Sequence, residues 1–124
     1  MGDVNLTNSE WYVLDCLWAQ SPQTVMELVS ALNDRLGWAK STTITTLRRM
    51  EDKGLVHCAV EGRGKHYSPA VQRDRAVRTE TRSFLDKVYQ GSVGLMVSAL
   101  AQDKALSKAE IDELYEILRK AEEE

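Results

Sequence analysis

Hydroxyl and basic side chains are concentrated in one stretch of the chain, from Lys40 to Gly54, with the sequence KSTTITTLRRMEDKG. Hydroxyl groups can reach base edges or phosphates, and cations neutralise the phosphates of a nucleic acid backbone. The candidate DNA-contacting residues of this stretch are Lys40, Ser41, Thr42, Thr45, Arg48, Arg49 and Lys53. An ordinary amphipathic helix with a solvated basic face also accounts for this stretch when it is taken alone.

The spacing of the apolar residues predicts how this stretch is held. Thr43, Leu47 and Met50 fall at i, i+4 and i+7, which places them on one face of a helix. Gly54 is expected to end the helix in the left-handed conformation, with Leu55 making the hydrophobic contact that accompanies such an end. The remaining faces then carry the hydroxyl and basic side chains.

Two further helices are predicted before this one. Each begins with the S/T-x-x-E pattern of a capping box, at Thr7–Glu10 and at Thr24–Glu27. The first is expected to end near Gln20, because Ser21-Pro22 breaks the pattern. The apolar stripes are Trp11, Leu14, Leu17 and Trp18 in the first helix, and Val25, Leu28, Val29 and Leu32 in the second. Three short helices joined by tight links form the core of a helix-turn-helix.

A β-hairpin is predicted after the third helix. Leu55 to Val60 is a β-prone run, Glu61 to Lys65 contains two glycines typical of a turn, and His66 to Ser68 is a second short strand. Three helices followed by a hairpin with a basic tip are typical of a winged helix. Arg63 and Lys65 lie where a wing would contact the sugar-phosphate backbone. A plain surface turn would explain the glycines but not the position of the hairpin after a basic helix.

Three more helices are predicted in the rest of the chain, at 71–89, at 93–101 and after a capping box at Ser107–Glu110. The middle one, VGLMVSALA, is apolar on nearly all sides, as a helix is when it is buried. Three helices of one chain offer little to bury these residues against, so a symmetric homodimer is expected. The expected interface residues are Leu95, Met96, Leu100, Leu114 and Leu118.

The predicted fold is therefore mainly α with a small β-hairpin. A winged helix-turn-helix DNA-binding domain is expected at residues 1–70, and a C-terminal helical dimerisation domain at residues 71–124. The chain has 124 residues, 43% of them hydrophobic, with two prolines and seven glycines, which is sufficient for a core.

Charge is distributed unevenly along the chain. The net charge is −3, but residues 1–78 carry 10 Lys and Arg against 9 Asp and Glu, whereas residues 79–124 carry 6 against 10. Any charge that binds DNA must therefore be concentrated on one face of the N-terminal part. There is no signal-peptide pattern, no apolar run near 18 residues and no CxxC pairing of Cys16 and Cys58, so a cytoplasmic protein is expected.

Several motifs occur together in a fixed order. LTNSEWYVLDCLW is similar to the opening helix of a known family, and LSKAEIDELYEIL to its last helix. Between them, the pattern W-x-x-x-T-x-x-T followed by R-[LM]-x-x-K-G-L is present as Trp38, Thr42, Thr45, Arg49, Met50, Lys53, Gly54 and Leu55. Tyr67-x-Pro69 follows the hairpin. Over roughly residues 6–121 the chain thus resembles the penicillinase-repressor family of bacterial regulators (BlaI/MecI), to which copper-responsive repressors also belong.

The resemblance implies a homodimer that binds a palindromic double-stranded DNA operator and blocks transcription, with Thr42, Thr45 and Arg49 as DNA contacts. It also implies a partner, a membrane-bound sensor protease that relieves repression by cutting the repressor. The family is cut between an asparagine and a phenylalanine, and the equivalent residues here are Ala99 and Leu100, so the chain departs from the pattern at that bond. Copper-responsive members end in a cysteine-rich metal hook. No cysteine follows Cys58, so no metal site is expected.

Three other functions are considered: an enzyme, a winged helix that binds only proteins, and a regulator controlled by a small-molecule ligand. The chain has only two histidines, His57 and His66, and no GxSxG, HExxH, P-loop or paired-carboxylate pattern. It is therefore not expected to be an enzyme or to hold a cofactor. A winged helix used only for protein contacts would lose the basic residues of the third helix and wing. A MarR-like regulator controlled by a small-molecule ligand stays open, although no polar pocket pattern is visible.

Overall fold

A computed structural model describes residues 5–124, and the first four residues of the expected N-terminal domain lie outside them. The elements are α1 (Asn8–Ala19), β1 (Gln23–Thr24), α2 (Val25–Leu36), α3 (Lys40–Lys53), β2 (Val56–Glu61), β3 (Gly64–Pro69), α4 (Arg73–Tyr89), α5 (Val93–Gln102) and α6 (Lys108–Glu122). The predicted class, mainly α with a small β-hairpin, is confirmed. The helix expected from residue 71 begins two residues later.

Three helices begin with the capping boxes that the sequence predicted. In each, the N-cap hydroxyl accepts a hydrogen bond from the backbone N–H three residues later, and the glutamate there accepts from the N-cap N–H. The pairs are Thr7–Glu10, Thr24–Glu27 and Ser107–Glu110. At the other end, α2 and α3 stop at Gly37 and Gly54, with φ of 71° and 76°, where any side chain would be strained.

α1, α2 and α3 enclose the core of the N-terminal part. The fully buried side chains there are Val13, Leu14, Leu17, Leu28, Leu32, Thr43, Leu47 and Met50. The prediction that α1 buries Trp11 and Trp18 is wrong in degree, because both indoles are only half-buried at the edge of the core. They meet edge to face with ring centroids 5.3 Å apart. Val13 and Cys16 of α1 take the interior positions instead.

A three-stranded antiparallel sheet, in the order β1-β3-β2, lies beside these helices. The sequence analysis placed no strand before α2, but Gln23 pairs with Tyr67 and Thr24 with His66. The Gln23 amide donates hydrogen bonds to the carbonyl oxygens of Cys16 (2.9 Å) and Gln20 (2.7 Å), which ties β1 to the end of α1. Such a two-residue strand leaves no periodic pattern, since it forms only when β3 is beside it.

The hairpin turn is shorter than predicted. Pairing continues out to Glu61 and Gly64, so the turn consists of Gly62, with φ of 61°, and Arg63. Lys65, predicted in the turn, lies in β3 opposite Val60. The longer hairpin is favoured over the longer turn because additional strand pairing satisfies more backbone hydrogen-bonding groups.

The chain forms two compact units, Met1–Glu80 and Thr81–Glu124. The core of the first unit continues past the hairpin, since Val71 and Ala76 are buried in it and the Trp18 indole N–H donates to the Val71 carbonyl oxygen over 2.9 Å. The second unit contains the end of α4, α5 and α6, and neither α5 nor α6 has a buried residue. None of the helices within residues 5–124 is long and apolar enough to cross a membrane.

Candidate nucleic-acid interface

α3 carries most of the candidate contact residues and has two distinct sides. Thr43, Leu47 and Met50 are at most 2% exposed, so the predicted core-facing stripe is confirmed. Thr46 is also buried, and its hydroxyl donates to the Thr42 carbonyl oxygen over 2.8 Å. The exposed residues are Lys40, Ser41, Thr42, Thr45, Arg48, Arg49 and Lys53. Their hydroxyl and cationic groups therefore lie on the solvent side of the helix.

Both ends of α3 are fixed by the backbone. The N–H groups of Thr42 and Thr43 bond to the carbonyl oxygen of Ala39, which has no side chain able to cap the helix. At the other end the Leu55 N–H donates to the Met50 carbonyl oxygen over 2.9 Å, and Leu55 is buried. This is the glycine-ended cap that the sequence predicted. The positive end of the helix dipole lies beside Lys40, which favours an anion there.

Lys53 differs from the other basic residues of α3 because it has an internal partner. Its ammonium group donates to Oε2 of Glu10 over 2.6 Å, while Oε1 of the same carboxylate accepts the Thr7 N–H over 2.9 Å. The Glu10 side chain is 3% exposed, whereas that of Lys53 is 49% exposed. Lys53 thus ties α3 to α1, and its contact with DNA stays a prediction.

The pKa of Glu10 reflects these contacts. Burial alone would raise it, but the hydrogen bonds from Lys53 and Thr7 and the Lys53 charge outweigh burial and lower the pKa from its ordinary value of 4.5. Glu10 is therefore ionised at neutral pH although it is buried. From the sequence, Glu10 was identified only as a capping residue, because no sequence pattern relates Glu10 to Lys53, which is 43 residues away.

The wing brings two more cations to the surface. Arg63 is exposed on the turn, and Lys65 is exposed on β3. Within residues 5–124, the exposed basic side chains of α3 and the wing that form no ion pair are Lys40, Arg48, Arg49, Arg63 and Lys65. Cations that lack a protein partner keep their full charge for a polyanion.

The predicted dimerisation residues all lie in the second unit, on α5 and α6. Leu95, Leu100 and Leu118 are 54%, 40% and 60% exposed, and Met96 and Leu114 are half-buried. Ala99 and Leu100, which correspond to the family cleavage position, lie inside α5. Dimerisation and cleavage both stay predictions at this point.

Among the described residues, neither cysteine belongs to a cluster of potential metal ligands. Cys16 is buried and Cys58 half-buried, both as free thiols. The part of the chain from residue 5 onward contains no group of three His, Cys, Asp or Glu side chains placed to hold a metal ion.

Comparison with known proteins places the chain in a family. The family described as Penicillinase repressor matches residues 6–120. The penicillinase repressor of Bacillus licheniformis is 30% identical over 113 residues, which cover 91% of this chain and 88% of that protein. The methicillin resistance regulatory protein MecI of Staphylococcus aureus (strain N315) is 24% identical over 93% of this chain and 94% of that protein.

Two solved structures with DNA are similar in fold. The solution structure of monomeric Bacillus licheniformis BlaI with the blaP half-operator matches with a TM-score of 0.53 and 25% identity, covering 58% of this chain and 88% of that one. A point mutant of S. aureus MepR bound to an oligodeoxyribonucleotide matches with a TM-score of 0.53 and 25% identity, covering 94% and 77%. These matches confirm the winged-helix fold class. Both the family and the B. licheniformis relative are described as penicillinase repressors, so the expectation that the chain is not an enzyme is also confirmed.

Proposed function

The chain belongs to the penicillinase repressor family, and from this premise we propose that it represses transcription as a homodimer bound to a palindromic DNA operator. The observation that carries the proposal is the exposed side of α3, where hydroxyls and cations occupy the solvent face of a helix whose other face is buried in a core. An α-helix fits the major groove of B-DNA, and a winged helix presents its third helix for this purpose.

The residues of α3 divide into two chemical roles. Thr42 and Thr45 have short side chains that can approach base edges, so they are proposed to distinguish sequences. Arg48, Arg49, Lys40 and Ser41 are proposed to contact phosphates, which positions the helix without selecting a sequence. Lys53 would share its charge between DNA and Glu10.

The wing is proposed to add further phosphate contacts that do not select a sequence. Arg63 and Lys65 are exposed, cationic and free of ion pairs within the described residues. Replacing both with alanine should lower affinity while preserving the order of preference among operator variants. A changed order would show that the wing contacts bases in a groove.

Dimerisation is supported by the apolar side chains that the second unit leaves in solvent. Val93, Leu95 and Leu118 are each more than half exposed, on helices that contain no buried residue. Apolar patches of this kind mark protein interfaces. A second copy of the chain is the proposed occupant, because a two-fold pair covers the same patch on both protomers at once. Two α3 helices on one face of B-DNA require half-site centres about one helical turn, or a whole number of turns, apart.

Relief of repression by proteolysis is proposed from the family resemblance and from the position of the bond. Ala99 and Leu100 lie in α5, which has no buried side chain within the protomer. A protease needs extended backbone, and a helix held mainly by contacts with another copy can open when the copies separate. The proposed protease is a membrane-bound sensor that meets the repressor in the cytoplasm.

Base recognition by α3 can be tested with a duplex enriched by the wild-type protein from a random-sequence library. Thr42→Ala and Thr45→Ala should each cost about 1–3 kcal/mol on this duplex and little on unselected DNA. Arg49→Ala should weaken binding to both DNAs and lower the dependence of affinity on salt. Arg82→Ala, which removes an exposed charge in the second unit, is the matched control and should change neither. Equal losses on both DNAs for all three α3 variants would contradict the assignment.

A further inference from the structure

A hydrogen bond between two side chains connects α3 to the wing. The Tyr67 hydroxyl of β3 donates to Oε1 of Glu51 on α3 over 3.0 Å. Tyr67 is 4% exposed, and its burial together with the Glu51 carboxylate raises the pKa of the phenol. The hydroxyl therefore remains a donor throughout the physiological pH range.

The two partners lie next to residues proposed to bind DNA. Glu51 is three residues after Arg48 on α3, and Tyr67 is two residues after Lys65 on β3, so each pair shares one face of its element. These four side chains line one groove together with three apolar residues. The apolar lining residues are Val25, Ile44 and Leu47. The groove thus separates a cation of α3 from a cation of the wing, and the Tyr67–Glu51 hydrogen bond spans it.

The connection between α3 and the wing consists of only Gly54 and Leu55. The base of the hairpin is fixed by buried Leu55, Val56 and Tyr67 and by the pairing of β3 with β1, so the Tyr67–Glu51 hydrogen bond acts on the remaining freedom in the angle between the hairpin and α3. The paired strands move together, since β2 and β3 are bonded along their whole length. A contact from β3 to the last third of α3 opposes a change in that angle.

We propose that Tyr67 and Glu51 are a positioning pair. Their hydrogen bond fixes the distance between the wing and α3, so that Lys65 can contact a phosphate while α3 lies in the major groove of the DNA. This role rests on the proposed function, because it concerns contacts with DNA. Neither residue needs to contact DNA for this effect. Without the pair, the wing must be ordered during binding, and that ordering reduces affinity.

The experiment measures how the binding constant depends on salt, which reports the number of phosphate contacts. Each contact contributes about 0.9 to the slope of log K against log salt for B-DNA. With a duplex enriched from a random library, Tyr67→Phe should reduce the slope by about one unit, and Lys65→Ala should do the same. The double variant should lose no more than either single variant. Tyr12→Phe, at a residue that is 39% exposed on α1, is the matched control and should keep the wild-type slope.

A second pair of variants covers the case in which Tyr67→Phe does not fold. Glu51 is exposed, so Glu51→Gln and Glu51→Ala both remove one negative charge without disturbing the core, but only glutamine keeps an oxygen that accepts from Tyr67. The alanine variant should show a slope about one unit smaller than the glutamine variant.

Equal slopes for Glu51→Ala and Glu51→Gln, or a Tyr67→Phe variant that melts earlier but keeps the wild-type slope, would overturn the positioning role while leaving DNA binding intact. If the wild-type protein enriches no duplex and binds DNA without salt dependence, the proposed function fails, and the positioning role fails with it.

Discussion

The two compact units differ in where their apolar side chains lie. In the first, leucines from three helices meet in one core, and Leu14, Leu17 and Leu28 have no exposed surface. In the second, similar side chains on α5 and α6 remain in solvent, and Leu85 is its only buried hydrophobic residue among those described. Both units contain amphipathic or apolar helices with well-formed caps. The difference shows that caps and helix propensity suffice to form a helix. Burial of its apolar side chains depends on whether other apolar helix faces are available to pack against it.

This contrast has a functional meaning under the proposed mechanism. A unit with its own core can hold the DNA-contacting face of α3 in place before any partner arrives. A unit whose apolar face is exposed can bury that face only when a second copy of the chain binds to it. Four predictions test the contrast, starting with the largest effect.

Leu100→Asp should separate the protomers. Leu100 lies on α5 and is 40% exposed in the single chain, and a charge buried in an interface costs several kcal/mol unless it is paired. Because two linked units make the second DNA contact intramolecular, losing the dimer should lower operator affinity by about 10²–10⁴-fold. Sedimentation gives the oligomeric state, and amide exchange shows whether the first unit is still folded.

The matched control for this change is Met26→Asp, at a residue that is 56% exposed on α2 of the first unit. It should leave the sedimentation behaviour unchanged. A Leu100→Asp variant that remains dimeric and still binds DNA would show that the uncovered face of the second unit is not the interface.

Two truncations locate the end of the self-sufficient unit. A chain of residues 1–80 should fold as a monomer, whereas one of residues 1–69 loses buried Val71 and Ala76 and the hydrogen bond from Trp18. The shorter chain should be less stable by about 2–4 kcal/mol, from lost apolar burial and one hydrogen bond. Urea unfolding followed by circular dichroism gives both free energies. Equal stability of the two chains would place the boundary at residue 70.

Glu10→Gln should weaken the first unit in a pH-dependent way. Glutamine can keep the capping box but loses the charge that binds Lys53, and because Lys53 is half exposed we expect a cost of about 1–2 kcal/mol at neutral pH. The folded-state pKa of Glu10 lies below its ordinary value of 4.5, so its contribution is complete above pH 4.5 and disappears as the pH falls through the lower folded-state value. Wild type and variant should therefore converge in stability below pH 4.5.

The matched control is Glu27→Gln in the second capping box, where the glutamate is exposed and has no lysine partner within residues 5–124. Its effect at neutral pH should be clearly smaller. If both substitutions cost the same, the ion pair between α1 and α3 contributes nothing beyond the cap.

Thr43→Val should stabilise the first unit slightly. The Thr43 hydroxyl is fully buried and has no hydrogen-bond partner among the described residues, whereas valine has the same shape without the polar group. The expected gain is about 1 kcal/mol in the free energy of unfolding. Thr46→Val is the control, since the Thr46 hydroxyl donates to a backbone carbonyl oxygen and its loss should not stabilise. Destabilisation by Thr43→Val would indicate that the hydroxyl has a partner in solution.

Local features of this protein could be predicted from the sequence because their causes are local. The three capping boxes, the left-handed end at Gly54 and the buried stripe of Thr43, Leu47 and Met50 each depend on residues within one or two helical turns. The order of the helices and of the hairpin followed from such features, although β1 was not predicted, and the family was identified from the order and spacing of its motifs. The exposed candidate residues of α3 followed as well, as the complement of its buried stripe.

Contacts between distant segments were decided only by the tertiary structure. The Lys53–Glu10 ion pair, the Tyr67–Glu51 hydrogen bond and the pairing of Gln23 with Tyr67 join positions that are 43, 16 and 44 residues apart. A glutamate that caps a helix has the same local pattern whether it is exposed, as Glu27 is, or buried against a lysine, as Glu10 is. The sequence determines which groups are able to pair, but the packing of α1, α3 and β3 determines which of them come within reach, because distance in space is not recorded in the spacing along the chain.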